Sequence, residues 1–168
     1  YWDYHFKEPN TTVDKREYVE ELDRLFQQAV NRQLVSDVEL GSYLSGGMDS
    51  GSITALATSN FPYLKTFTCG FEEKINADNI KFDEREEANQ ISGFLNTHHN
   101  SLELNSNHME SCIPDLVNAL EDPRLGQSYP NFYAASLASS SVKVVLSGTG
   151  GDELFCGYPW RYNFYEAN

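Results

Sequence analysis

Residues 38–57 read VELGSYLSGGMDSGSITALA. A short apolar run, Val38 to Leu44, meets the pair Gly46 and Gly47, and beyond Asp49 and Ser50 the residues Ile53, Leu56 and Ala57 recur at helical spacing. The pattern is a strand, a glycine-rich loop and a helix. A turn needs one glycine, so the second asks for a reason. Either this is a plain strand-to-helix connection with Ser50 as the cap, or Gly46 and Gly47 take positive φ and let an anion approach successive N–H groups that no Cβ shields.

Upstream, residues 1–13 are polar and aromatic without a period and form a lead-in. Tyr18, Val19, Leu22, Leu25, Phe26, Ala29 and Val30 then predict an amphipathic helix over 14–34, with Asp14 and Glu17 spaced as a capping box. Downstream, KTFTCGF (65–71) and HHNSLEL (98–104) read as strands around a polar loop at 72–83 and a helix at 84–96 carrying Ala88, Ile91 and Leu95. Met109, Cys112, Ile113, Leu116, Val117 and Leu120 predict a further helix, opened afresh or kinked at Pro114. Residues 121–130 read as a loop, 132–139 as a helix and VKVVLS (142–147) as a buried strand. Four strands alternating with helices predict a Rossmann-like α/β core over 35–168, a mostly parallel sheet with helices on both faces.

Composition narrows the function. The chain has 168 residues, with 25 acidic against 12 basic side chains and a formal net charge of -13. With no Lys/Arg cluster, nothing is built to neutralise a nucleic-acid backbone, and a phosphate-bearing ligand has to be held by backbone N–H groups, a helix N-terminus or a divalent cation. Cys69, Cys112 and Cys156 are odd in number and without CxxC spacing, which points away from a disulfide framework or a zinc site and towards a reducing cytoplasm. No run reaches the roughly 20 apolar residues of a membrane span, and YWDYHFKEPN has no signal-peptide pattern.

A second glycine-rich loop, SGTGGDE (147–153), follows the last strand just as SGGMDS (45–50) follows the first. Ligands of open parallel sheets bind beyond the carboxyl ends of strands. Either loop alone is satisfied by a turn and a capped helix. Two of them, each pairing glycines with an aspartate and a hydroxyl, favour one shared crevice in which Ser45, Gly46, Gly47 and Ser50 cradle a polyphosphate. Asp49 and Asp152 would repel that ligand unless a hard cation lay between, so they are the candidate Mg²⁺ ligands and catalytic carboxylates. His98 and His99 are adjacent on a strand and point to opposite faces, which argues against a chelating pair. Burial should leave the Cys69 thiol inert, and Cys112 reads as core.

SGGMDS resembles the SGGxDS pyrophosphate loop of the N-type ATP pyrophosphatases, and LSGTGGDELFCGY (146–158) resembles the LSGxGxDExFxGY segment of the asparagine synthetase family. YWDY, RQLVSDV, LSGG, TFTCGF, HH and LEDP follow in that family's order, so the resemblance covers essentially the whole chain. It implies an adenine-nucleotide α-hydrolase fold that binds ATP and Mg²⁺. Leu44, Ser45, Gly46, Gly47, Asp49, Ser50, Cys69, Ser147 and Gly148 would line the nucleotide site, and Asp49 and Asp152 would hold the metal. The implied reaction is adenylation of the aspartate side chain, loss of pyrophosphate and amidation by ammonia to give asparagine, with ammonia supplied by a glutaminase domain of the same protein. The resemblance also implies that residues 1–168 are part of a larger synthetase, its glutaminase domain and C-terminal helical part lying outside this sequence. Two positions depart from the family. Thr149 stands where many members have a glutamate near the reacting carboxylate, and Cys156 replaces a common glycine. The first keeps open a related amide synthetase with another acid substrate, of the β-lactam synthetase kind. A non-catalytic nucleotide-binding module is the remaining alternative.

Overall fold

The computed structural model describes residues 3, 5, 7, 8, 12–72, 83–121 and 128–158. The predicted loops at 72–83 and 121–130 and the lead-in over 1–13 lie largely outside these residues. The elements are α1 (Lys15–Gln33), β1 (Leu40–Tyr43), α2 (Met48–Thr58), β2 (Lys65–Phe71), α3 (Arg85–Leu95), β3 (His98–Leu104), α4 (Ser106–Leu120), α5 (Ser128–Ser139), β4 (Val144–Leu146) and α6 (Gly151–Phe155). The four strands form one parallel sheet in the order β3-β2-β1-β4. The chain starts in the middle of the sheet, runs outward through β2 to β3, and returns to the other side of β1.

Period-2 alternation along the strands sorts the core into two layers. On one face Leu40 and Leu146 pack with Val30 and Leu34 from α1 and its end, Ala57 from α2 and Leu64, and Phe26, Ile53 and Leu56 lean on them. On the other face Phe67 packs with Ala138 of α5 and Val142, supported by Tyr43, Leu137 and Val145. Helices cover both faces, as a parallel sheet requires.

Several local expectations are corrected. Helix α1 buries its apolar stripe only at its C-terminal end, for Tyr18, Val19, Leu22 and Leu25 are exposed while Val30 is buried. Asp14 caps it by accepting from the Arg16 N–H, at 3.0 Å, a plain N-cap in place of the expected capping box. Helix α4 passes Pro114 without a break. Pro114 withholds only one N–H from the helical ladder, and the helix is anchored by a capping box between Asn105 and His108 and by burial of Cys112. Helix α5 starts at Ser128, four residues ahead of the apolar run. The last strand is three residues long and borders only β1 among the described residues, so Val144 is 40% exposed rather than buried. On β3, His98 stacks on Tyr63 at a centroid distance of 5.6 Å, whereas the half-buried His99 bonds through Nδ1 to Thr66 Oγ1 at 2.9 Å.

Candidate functional site

The strand order places a reversal between β1 and β4, the point where the segments leaving two neighbouring strands part to opposite sides and open a crevice. SGGMDS leaves β1 and SGTGGDE leaves β4, so the topology brings together two loops separated by about a hundred residues in the chain. How tightly they meet is set by Gly148. A Cβ there would stand 2.8 Å from the Ser50 backbone nitrogen and 3.1 Å from the Asp49 carbonyl carbon. The second loop therefore lies directly on the N-terminal turn of α2, and only a glycine fits. Gly151 extends the contact, since a side chain on it would overlap the Asp49 carboxylate.

The first loop differs from its sequence reading in two respects. Neither Gly46 nor Gly47 takes positive φ; Gly47 is extended, at φ -77° and ψ 154°. The glycines serve close approach instead, because a Cβ on Gly46 would fall 2.6 Å from Glu87 Cβ on α3. The cap of α2 is Gly47 rather than Ser50, which sits in the first turn and is buried. The Ser50 hydroxyl ties the loop together: it accepts from the Ser45 N–H at 3.0 Å and shares a 2.8 Å hydrogen bond with Ser45 Oγ. Ser45 Oγ in turn accepts from the Gly47 N–H at 3.1 Å. Hydroxyls at these two positions hold the backbone in the shape that presents the start of α2, with its positive dipole end, to the crevice.

The crevice is a cavity of about 760 Å³. Of the residues singled out by sequence, Leu44, Ser45, Gly47, Asp49, Ser50, Cys69, Ser147, Gly148 and Asp152 all line it. Gly46 does not; it faces an apolar groove beside α3. Thr149 lines the cavity at the tip of the second loop, where its hydroxyl shares a 2.8 Å bond with Ser147 Oγ. Sequence reasoning missed Tyr43, Phe67, Thr68, Glu84 and Asn131, which are among the other residues of the walls. Thr68 was within reach of inspection, as it shares a strand end with Cys69; Glu84 and Asn131 carry no pattern of their own.

No lysine or arginine lines the cavity among the described residues. An anion there has backbone N–H groups and helix starts but no fixed side-chain cation. The carboxylates of Asp49 and Asp152 have no hydrogen-bond or ion-pair partner among the described residues, and no group of three or more His, Cys, Asp or Glu side chains forms a self-contained metal site among them. Two free carboxylates with room for outside oxygens suit Mg²⁺, which takes one or two carboxylates and completes its shell from phosphate and water. The donor set fits the cation.

Burial pushes the Cys69 thiol up to about 11 and raises the Tyr43 hydroxyl as well. At pH 8 a thiol of that pKa is about 0.1% thiolate, so alkylation of Cys69 is expected to be at least about 10²-fold slower than that of the exposed Cys156. Peptide mass spectrometry of iodoacetamide-treated native protein reads both rates; equal labelling would contradict the buried setting of Cys69.

Comparison with known proteins agrees with this architecture. A model of the family described as asparagine synthase matches residues 21–168. Glutamine-hydrolysing asparagine synthetase 1 of Bacillus subtilis is 35% identical over 159 residues, covering 94% of this chain and 24% of that protein. Glutamine-hydrolysing asparagine synthetase 3 of the same organism is 32% identical over 187 residues, covering 95% and 27%. The chain thus spans about a quarter of the length of these relatives. Among solved structures, NMN synthetase from Francisella tularensis superposes with a TM-score of 0.50 at 18% identity, covering 87% of this chain and 59% of that one, a likeness of fold.

Proposed function

The chain belongs to the asparagine synthase family, and on that premise we propose that it is the ATP-using part of an amide synthetase that activates the side-chain carboxylate of aspartate. The carboxylate attacks the α-phosphorus of ATP, pyrophosphate leaves towards the SGGMDS loop, and ammonia displaces AMP to give asparagine. A glutaminase domain of the same protein is the proposed source of ammonia.

The observation that carries this reading is the seating of the second loop on the first, with Gly148 against the Ser50 nitrogen and both aspartates on one cavity. The reaction asks for positioning and charge neutralisation more than for a nucleophile, and the cavity offers those means. Backbone N–H groups at the start of α2 receive the phosphates, Ser50 keeps the loop in shape through Ser45, and Ser147 and Gly148 close the opposite wall. When bound between Asp49 and Asp152, Mg²⁺ would neutralise the charge that grows on the leaving pyrophosphate. Cytoplasmic location belongs to the same proposal; among the described residues no helix is long and apolar enough to cross a membrane.

Thr149 favours a second reading within the same chemistry, since a hydroxyl on the cavity wall replaces the carboxylate that the family resemblance leads one to expect. The acid activated would then be another carboxylate of the β-lactam synthetase kind. Exchange of labelled pyrophosphate into ATP by the full-length protein, with aspartate and then a panel of carboxylic acids, separates the two. Exchange with aspartate at least about 10-fold above every other acid supports the first reading. Exchange with another acid alone supports the second, and none with any acid refutes both.

A further inference from the structure

Beyond its place in the cavity lining, we infer that Thr68 is a positioning residue that ends the pairing of β1 with β2 and so shapes the floor of the nucleotide site. The inference rests on the nucleotide-binding reading above and deepens it. The register of β1 on β2 pairs Tyr43 with Phe67, and the Leu44 N–H donates to the Phe67 carbonyl at 3.0 Å. In a parallel ladder the next rung runs from the Cys69 N–H to the Leu44 carbonyl. That rung is replaced. The Leu44 carbonyl accepts from Thr68 Oγ1, a buried hydroxyl on the neighbouring residue.

The substitution of a side-chain donor for a backbone donor has two effects. It satisfies the carbonyl of Leu44, the residue just past β1, while releasing the chain from β2, so that Ser45 can turn away into the loop instead of continuing as strand. It also leaves the Cys69 amide directed at the space that β1 has vacated. Leu44, Thr68 and Cys69 all line the cavity there, together with Phe67 and Tyr43. The result is a recess at the strand ends, bordered by Leu44, Thr68 and Cys69, with a backbone donor at its edge for the base of a nucleotide. Thr68 need not touch the nucleotide; it fixes the two residues that do.

The test uses the full-length protein carrying Thr68→Val, which keeps the shape of the side chain and removes the hydroxyl, and Thr68→Ser, which keeps the hydroxyl. Steady-state pyrophosphate release is measured against ATP and against GTP, with thermal melting alongside. The expected result for Thr68→Val is a KM for ATP raised at least about 10-fold with kcat within about 3-fold, and a loss of preference for ATP over GTP, both restored in Thr68→Ser. A merely structural hydroxyl would lower the melting temperature and leave the KM for ATP and the purine preference unchanged, and that outcome overturns the inference. Should the valine variant fail to fold, Thr68→Ala is read by the same criteria. Wild-type protein that shows no Mg²⁺-dependent ATP binding would instead refute the nucleotide reading itself, before any variant is compared.

Discussion

Asp49→Ala and Asp152→Ala, each made in the full-length protein, are expected to lower acid-dependent release of pyrophosphate from ATP by at least about 10³-fold, the effect of losing several kcal/mol of charge stabilisation at the reacting phosphates. The same substitutions should barely move stability. Each carboxylate lies in the first turn of a helix, where its favourable interaction with the dipole is worth about 0.3–1 kcal/mol, and neither has a partner to strand among the described residues. The two quantities therefore separate a metal-holding role from a capping role. Isothermal titration with ATP at increasing Mg²⁺ supplies the second readout, because variants lacking a ligand should need more Mg²⁺ for half-maximal binding. A variant with wild-type turnover, or one whose activity falls only in step with its melting temperature, would defeat the shared-cation reading for that residue.

The legible part of this protein was its sequence of elements and the identity of its two loops. KTFTCGF and HHNSLEL are β2 and β3 as written, the first because its threonines and phenylalanines favour a strand, the second because Leu102 and Leu104 alternate with polar residues. Local sequence misjudged features decided by what lies across the fold. Gly46 looks like a residue chosen for positive φ, yet its reason is the side chain of Glu87 on a helix some forty residues later. Ser50 looks like a cap facing a ligand, yet it is turned inward onto Ser45, since the helix begins three residues earlier than a Ser50 cap implies. The strand at 142–147 is as apolar as an interior strand but lies at the border of the described sheet, a matter of strand order that no single segment encodes. The cavity lining was legible wherever glycine or aspartate marked it and invisible at Asn131, which reaches the site only because α5 starts four residues earlier than its apolar run.

Gly148→Ala should separate the two loops and, with them, the site. The added Cβ would meet the Ser50 nitrogen at 2.8 Å and both the Asp49 carbonyl carbon and Asp49 Cβ at 3.1 Å. These are backbone atoms and the root of a side chain, with no flexible end to swing aside, so the 147–150 segment has to move off the N-terminal turn of α2. A displacement of a few tenths of an ångström to an ångström widens the space between the two aspartates and tilts the N–H groups away from the phosphates. Misplacement on that scale costs about 10²-fold in rate, against about 1–3 kcal/mol of stability for the overpacked contact. Gly93→Ala is the matching control. On α3 its Cβ has nothing within 4 Å, and replacing a helical glycine by alanine should stabilise the fold by up to about 1 kcal/mol with no effect on ATP. Binding of ATP with Mg²⁺ and pyrophosphate release by both variants give the comparison. If Gly148→Ala bound and turned over ATP as the wild type does, the contact between the loops would be incidental, and the proposed site would have to lie on one loop alone.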